Sequence, residues 1–282
     1  MRIFISADME GITGLVDADD VQPGGRDYER GRRAMTEDVN AAVRGAARAV
    51  ATEIVVNDAH GPMRNLMTDT LEPAARLIRG KPKTMGMIEG LTPGFDALIC
   101  VGYHARAGAH GVLSHSFMGH EIEDMWLDGR PVGEIGLVHA AAAALGVPLL
   151  ALTGDDAACA EATDWDAAVA TVPVKYVRSR FAAELRPEHE ARAAIEEAVA
   201  AALATAAPSA AAAAIAAPSA ATATLAVRWQ SSSVAEMLLG IPGVTSVNPR
   251  TVQTAGTPPE LFRQFGVWMR VASALTNQAP YC

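Results

Sequence analysis

Two textures alternate along the first half of the chain. Short runs of branched apolar residues occur at RIFIS (2–6), EIVVND (53–58), ALICVGY (97–103) and VPLLALTG (147–154), and polar residues follow the first three closely. Such runs predict strands buried on both faces. The second texture begins near Tyr28, where Met35, Val39, Ala42, Val43, Ala46 and Val50 fall on one stripe of a helix built to pack on a sheet. Further helices are predicted near LEPAARLIRG (71–80) and from Glu134, a strand near KTMGMI (83–88), and an apolar strand-like run in GVLSHS (111–116). The alternation predicts an α/β fold: a mostly parallel, doubly wound sheet with helices on both faces.

After about residue 155 the texture changes. DAACAEATDW is followed by a strand near TVPVKYV, a long Ala-rich helix from about Pro187, strands in TATLAVRW and GVTSVNPRTVQTAG, a serine-capped helix in SSSVAEMLLGIP and a closing amphipathic helix in PELFRQFGVWMRVASAL. The pattern predicts an α/β domain over residues 1–157 and a smaller α+β C-terminal subdomain over residues 158–282. The stretch from Ala200 to Ala221 is nearly all Ala with Pro208 and Pro218, and the chain holds three Lys against twenty Arg. That reads as compositional drift in a loosely constrained connection. No internal repeat stands out. Leu261, Phe265, Trp268 and Met269 share one stripe of the last helix, which serves equally for packing on its own sheet or for self-association.

With 282 residues a substantial core can be buried, and a formal charge of −9 disfavours nucleic acid and anionic membrane surfaces as partners. The opening MRIFISADMEG runs directly into a strand without the features of a signal peptide, and no apolar run is clean enough to span a membrane. Cys100, Cys159 and Cys282 have no metal-ligand spacing and read as free, mostly buried thiols of a reducing compartment, so a cytoplasmic location is expected.

Chemistry gathers at strand ends. Asp8 and Glu10 in DMEG are two apart, which puts both carboxylates on one face if the strand continues that far. Such a pair is stable around a divalent cation, although an acidic pair at a strand end is also commonly a solvated loop. His60 follows EIVVNDA and His104 follows ALICVGY, each just past a carboxyl end, where open α/β sheets present ligands. Three strand ends delivering carboxylate and imidazole to one edge make a metal site the better reading. Glu134 opens a predicted helix, where a glutamate also simply favours the helix dipole. His115, between Ser114 and Ser116, is open to two readings: a titrating group at the same edge, or a buried structural histidine.

Other motifs carry nothing. HEIED (120–124) lacks the second His of a zincin helix and reads as a solvated acidic turn; no Walker loop, serine elbow or dinucleotide fingerprint is present. His139 and His189 lie in helical stretches without an identifiable partner.

The set SADMEGITG, VNDAHG, GYHARAG, SHS and GRPVGEIG resembles the D-aminopeptidase DppA family of zinc metallopeptidases, in order and at near-identical spacing over residues 1–157 and more faintly beyond. The resemblance implies a two-zinc peptidase releasing amino-terminal D-amino acids from short peptides, assembled as a ring-based homodecamer. It implies Asp8, Glu10, His60, His104 and Glu134 as zinc ligands and His115 as the catalytic histidine. Three carboxylates against two dications leave about +1, and a hydroxide held between the ions would bring the cluster near neutrality and serve as nucleophile. The residue types suit zinc, cobalt or manganese. Two alternatives stand beside this reading: a related metallohydrolase acting on muropeptide fragments, L-peptides, amides or esters, and a non-enzymatic peptide-binding protein.

Overall fold

Four predicted strands form the middle of a seven-stranded sheet. In the computed structural model, which describes residues 1–49, 51–206 and 221–276, β1 (Arg2–Ala7), β2 (Glu53–Asp58), β3 (Ala75–Ile78), β4 (Ala97–Tyr103), β7 (Leu149–Asp155), β8 (Ala170–Ser179) and β9 (Ala182–Leu185) lie in the order β3-β2-β1-β4-β7-β8-β9. All neighbours are parallel except the β8–β9 hairpin. The period of two sorts side chains to the two faces. Ile3, Ile5, Ile54, Val56, Ile99 and Val101 join one core, whereas Phe4, Val55, Leu98 and Cys100 join the other.

The first face is covered by α2 (Tyr28–Arg48), whose stripe of Met35, Val39, Ala42, Val43 and Ala46 is buried as predicted, and by α5 (Glu188–Thr205). Val50, the last member of that stripe, lies outside the described residues, as do residues 207–220 of the Ala-rich connection and Cys282. The helices touch closely: a Cβ on Gly45 would stand 2.5 Å from the Glu196 carbonyl oxygen. The second face carries α3 (Glu134–Ala144), α4 (Asp156–Trp165) and a second sheet. That sheet is antiparallel, in the order β11-β12-β10-β5-β6, from β5 (Ile122–Leu127), β6 (Arg130–Pro131), β10 (Ala223–Trp229), β11 (Thr245–Asn248) and β12 (Thr251–Gly256). The helices α6 (Ser232–Leu238) and α7 (Pro258–Thr276) pack with it, and the Ser231 side chain caps α6 as expected.

Sheet membership does not follow a division at residue 157. β5 and β6 precede that point but pair with β10, while β8, β9 and α5 follow it and complete the first sheet. The break in texture marks α4, not a change of layer.

Three predicted elements differ. The helix near LEPAARLIRG is instead the edge strand β3, because pairing of Ala75 to Ile78 with Ile54 to Asn57 overrides the helical preference of Ala, Arg and Leu. The strand near KTMGMI is a 3-10 turn over Gly86–Ile88, where side chains rather than a ladder take the carbonyls: Ser6 Oγ donates to Met87 O at 2.7 Å and Asn57 Nδ2 donates to Gly86 O and Met87 O. GVLSHS is turn and bend without strand pairing, and HEIED leads into β5, where Glu123 pairs with Arg228 and Arg250. Cys100 and Cys159 are buried free thiols. No helix among the described residues is long and apolar enough to cross a membrane.

Candidate metal centre

In the order β2-β1-β4 the chain winds outward from β1 on one side and returns on the other, so the carboxyl ends of these strands open a crevice at the switch point between β1 and β4. Asp8 lies just past β1, His60 past β2 and His104 past β4, while Glu134 begins α3. The expectation that strand period aligns Asp8 and Glu10 fails, because β1 ends at Ala7. The two acids sit on a loop moulded to the end of β4: Asp8 N–H donates to Val101 O and Gly11 N–H to Gly102 O, both at 2.8 Å. A Cβ on Gly11 would lie 1.9 Å from Tyr103 O, and Gly102 holds φ +73°. Both glycines of the motifs are thus steric necessities.

Beneath the loop lies a lysine that sequence reasoning missed. Lys175 is wholly buried, and its Nζ donates to the carbonyls of Glu10 (2.6 Å), Ile12 (2.9 Å) and Leu15 (2.5 Å). Burial depresses its pKa to about 8 despite the carboxylates of Asp155, Asp38 and Glu10 nearby. One of only three lysines in the chain, set inside the apolar run TVPVKYV, was the available signal. Asp38 ties the same loop by accepting from Thr13 N and Oγ1, and Asp155 anchors the His115 segment by accepting from Val112 N at 2.6 Å.

All six predicted side chains converge. His60 Nδ1 stands 3.2 Å from Asp8 Oδ1 and 3.0 Å from Glu10 Oε2; His104 Nε2 stands 3.5 Å from Asp8 Oδ2 and 3.3 Å from Glu134 Oε1. The His115 ring stacks on His104 at 4.2 Å, with Nε2 3.8 Å from Glu10 Oε1 and 4.0 Å from Glu134 Oε1. Each histidine spends its other nitrogen on a backbone carbonyl: His60 Nε2 donates to Val21 O (2.8 Å), His104 Nδ1 to Ala105 O (3.0 Å) and His115 Nδ1 to Leu113 O (2.8 Å). These bonds fix tautomers that turn three lone pairs into one cavity. The Phe117 backbone N–H donates to Glu134 Oε1 at 2.6 Å and orients that carboxylate.

The chemistry of the donors fits divalent cations. Asp8, Glu10, His104 and Glu134 are buried and His60 nearly so, yet Asp8 Oδ2, Glu10 Oε2 and His104 Nε2 have no hydrogen-bond partner, a costly state unless something positive engages them. Ligand atoms of Asp8, Glu10 and His60 lie within 4.8 Å of one another, and so do those of Asp8, His104 and Glu134. Glu10, His104 and His115 form a third such group, so Asp8, Glu10 and His104 each belong to two. Without cations the cluster shares protons: burial and Glu10 push Asp8 up to about 7. Burial opposes charge on His60 and His104, but the surrounding carboxylates outweigh it and raise both well above the usual histidine range. His115 moves the other way, lowered by burial and by His104.

The centre forms the floor of a cleft of about 350 Å³ whose walls include Phe117, His120, Arg180 and Phe181. Arg180 and Phe181 come from the β8–β9 turn, held over the site by the bond from Leu113 N–H to Arg180 O (2.8 Å). Their place follows from a hairpin contact about 65 residues distant in sequence. His139, without a partner in the sequence reading, stands 3.6 Å from Asp166.

Fold and site together define the class: a doubly wound α/β protein with a carboxylate–imidazole centre at the carboxyl edge of its parallel sheet. The family model for D-aminopeptidase matches residues 1–266, and the chain belongs to that family of peptidases. A D-aminopeptidase of Bacillus subtilis (strain 168) is 42% identical over 203 residues, which is 72% of this chain and 74% of that protein. The Zn-dependent D-aminopeptidase DppA from Bacillus subtilis, described as a self-compartmentalizing protease, has a similar structure, with a TM-score of 0.88, 33% identity and full coverage of both chains.

Proposed function

We propose that this chain is a zinc-dependent D-aminopeptidase that removes the amino-terminal residue from short peptides containing D-amino acids. The observation that carries the reading is the convergence of five buried side chains able to hold metal, three of them with unpartnered atoms, in a member of the D-aminopeptidase family. In this reading Asp8, Glu10 and His60 would hold one cation, and Asp8, His104 and Glu134 would hold a second. When bound, the cations supply Lewis acidity, lowering the pKa of water from about 15.7 to roughly 7 and polarising a carbonyl.

The protein's own groups do the rest. His115 faces the same cavity through Nε2, and because burial and His104 disfavour its charged form it is neutral near pH 7, ready to take a proton from the attacking water and return it to the departing amine. Its bond to Leu113 O keeps Nε2 aimed at the reacting atoms. Lys175 holds the carbonyl of Glu10, and so the height of that carboxylate, against the β8 strand. The carbonyl contact to Val21 and the Phe117 amide do the same for His60 and Glu134.

The preference for D residues rests on the D-aminopeptidase relatives, and assembly into a closed homo-oligomer, a decamer in this reading, on the self-compartmentalizing relative. Buried reduced thiols accord with a cytoplasmic location. The deciding experiment is amino-acid release from D-Ala-D-Ala and L-Ala-L-Ala by purified protein, with and without chelation, with metal content and solution mass measured on the same sample. Release from the D-peptide alone, lost on chelation, with two zinc ions per subunit, is the expected result; hydrolysis that persists in metal-free protein would overturn it.

A further inference from the structure

Beside the metal cleft lies a second pocket of about 280 Å³, and the two share Gly61 and Phe117 in their walls. Their charges are opposite. The metal cleft is floored by Asp8, Glu10 and Glu134, whereas the ionisable side chains lining the second pocket are Lys81, Lys83 and Arg270, with no Asp or Glu among its lining residues. In a chain of net charge −9 such a concentration needs a reason. Lys83 is already committed: its Nζ donates to Asn57 Oδ1 (2.7 Å), Asp58 O (2.6 Å) and Ile78 O (3.3 Å). Glu89, the carboxylate next to this region, accepts from Met85 N and Thr84 Oγ1.

Lys81 and Arg270 are not so engaged. Both are exposed, Lys81 makes one long bond to Gly61 O (3.2 Å), and among the described residues neither forms an ion pair with a carboxylate. Arg270 and Arg64 stand close enough to Lys81 to disfavour its charge, after burial, which acts in the same direction. Like charges brought together without a counterion cost free energy that an anionic ligand recovers. The backbone carries a second mark: of the four non-glycine residues at positive φ among the described residues, Met63 (55°) and Phe117 (55°) both line this pocket. Strain of that kind collects at ligand clamps. Met118, Phe262 and Met269 give the remaining wall an adaptable apolar part, beside Thr84 and Ser273.

We propose that this pocket is a carboxylate-binding subsite, in which Lys81 and Arg270 receive the free α-carboxylate of the substrate's carboxy-terminal residue while its side chain lies against the methionine-rich wall. This rests on the metal cleft being the place where the peptide bond is cut. A short peptide is itself two-ended, ammonium at one terminus and carboxylate at the other, and the joined clefts match that polarity. The substrate class that follows is small free-carboxylate peptides; amidated or longer chains lose the cationic anchor.

The test compares ligands differing only in that carboxylate. N-propionyl-D-alanine, the deamino analogue of D-Ala-D-Ala, and its amide are titrated calorimetrically into zinc-loaded wild type and into the Lys81→Met/Arg270→Met double variant, whose exposed sites should leave the thermal midpoint near wild type. Wild type should bind the carboxylate at least about tenfold more tightly than the amide, the scale of one charge-assisted hydrogen bond, and the double variant should bind both alike. In parallel, the ratio of kcat/KM for D-Ala-D-Ala over D-Ala-D-Ala amide should fall by a similar factor in the double variant, through KM. No carboxylate preference in wild type, or a preference that survives in the double variant, overturns the subsite. Absence of hydrolysis of both peptides would sink the peptidase reading alone, since the titration decides the pocket by itself.

Discussion

The two sheets treat charge in opposite ways. Every buried Asp, Glu, His and Lys among the described residues belongs to the first sheet, its loops or the helices packed on it: Asp8, Glu10, Asp20, Asp38, Asp58, His60, His104, Glu134, Asp155 and Lys175. The second sheet buries only Thr251 and Thr254 among its polar side chains, and its charges meet as partly exposed pairs such as Glu123 with Arg228 and Arg250. The difference follows from what each sheet is asked to do. A buried charge is tolerated only where partners or a ligand compensate it, so a cluster of them marks the place where the fold gives up stability for chemistry. The antiparallel sheet carries no such load and behaves as packing.

If that contrast is right, substitutions should separate by sheet. The largest effect is expected from His104→Ala, which removes a proposed ligand from the core of the cluster. Bound metal, measured by atomic emission, should fall, and activity should drop by more than the 10–100-fold typical of a lost supporting contact. His115→Ala should lower kcat by roughly 10²–10⁴-fold while metal content stays at the wild-type level, because this ring is assigned to proton transfer and not to holding the ions. A variant with full activity would remove His115 from the mechanism.

Lys175→Met probes the support of the site. Three carbonyls would lose their donor in a dry interior, and urea unfolding should show a loss of about 3 kcal/mol, with activity reduced through the displaced Glu10. Zinc affinity of the metal-free protein should be weaker at pH 6 than at pH 8. The sign follows from Asp8, which burial and Glu10 push up to about 7, so at pH 6 the cation must displace a proton that is largely absent at pH 8. Calorimetry in buffers of different ionisation enthalpy would detect its release. The smallest effect is expected for Glu123→Gln in the second sheet: less than about 1 kcal/mol by urea unfolding, with metal content and activity unchanged. A large loss there would dissolve the contrast between the sheets.

The sequence by itself determined the local and periodic part of the molecule. Branched runs became β1, β2, β4 and β7, the stripe from Met35 to Ala46 became the buried face of α2, and strand ends together with the helix start at Glu134 supplied the candidate ligands. These are legible because side-chain period and strand length are properties of a few neighbouring residues. Tertiary structure decided what no window of sequence contains. It made LEPAARLIRG a strand by laying it beside β2, drew β5 out of an apparently acidic turn to pair with β10 a hundred residues later, and set Asp8 and Glu10 on a loop moulded to β4. It also placed Lys175 under that loop, and Lys81 and Arg270 beside one pocket, from parts of the chain with no common motif. Strand order and layer packing are set by burial summed over the whole chain, so the identities of the candidate ligands were written locally, but their convergence, and the company they keep, was not.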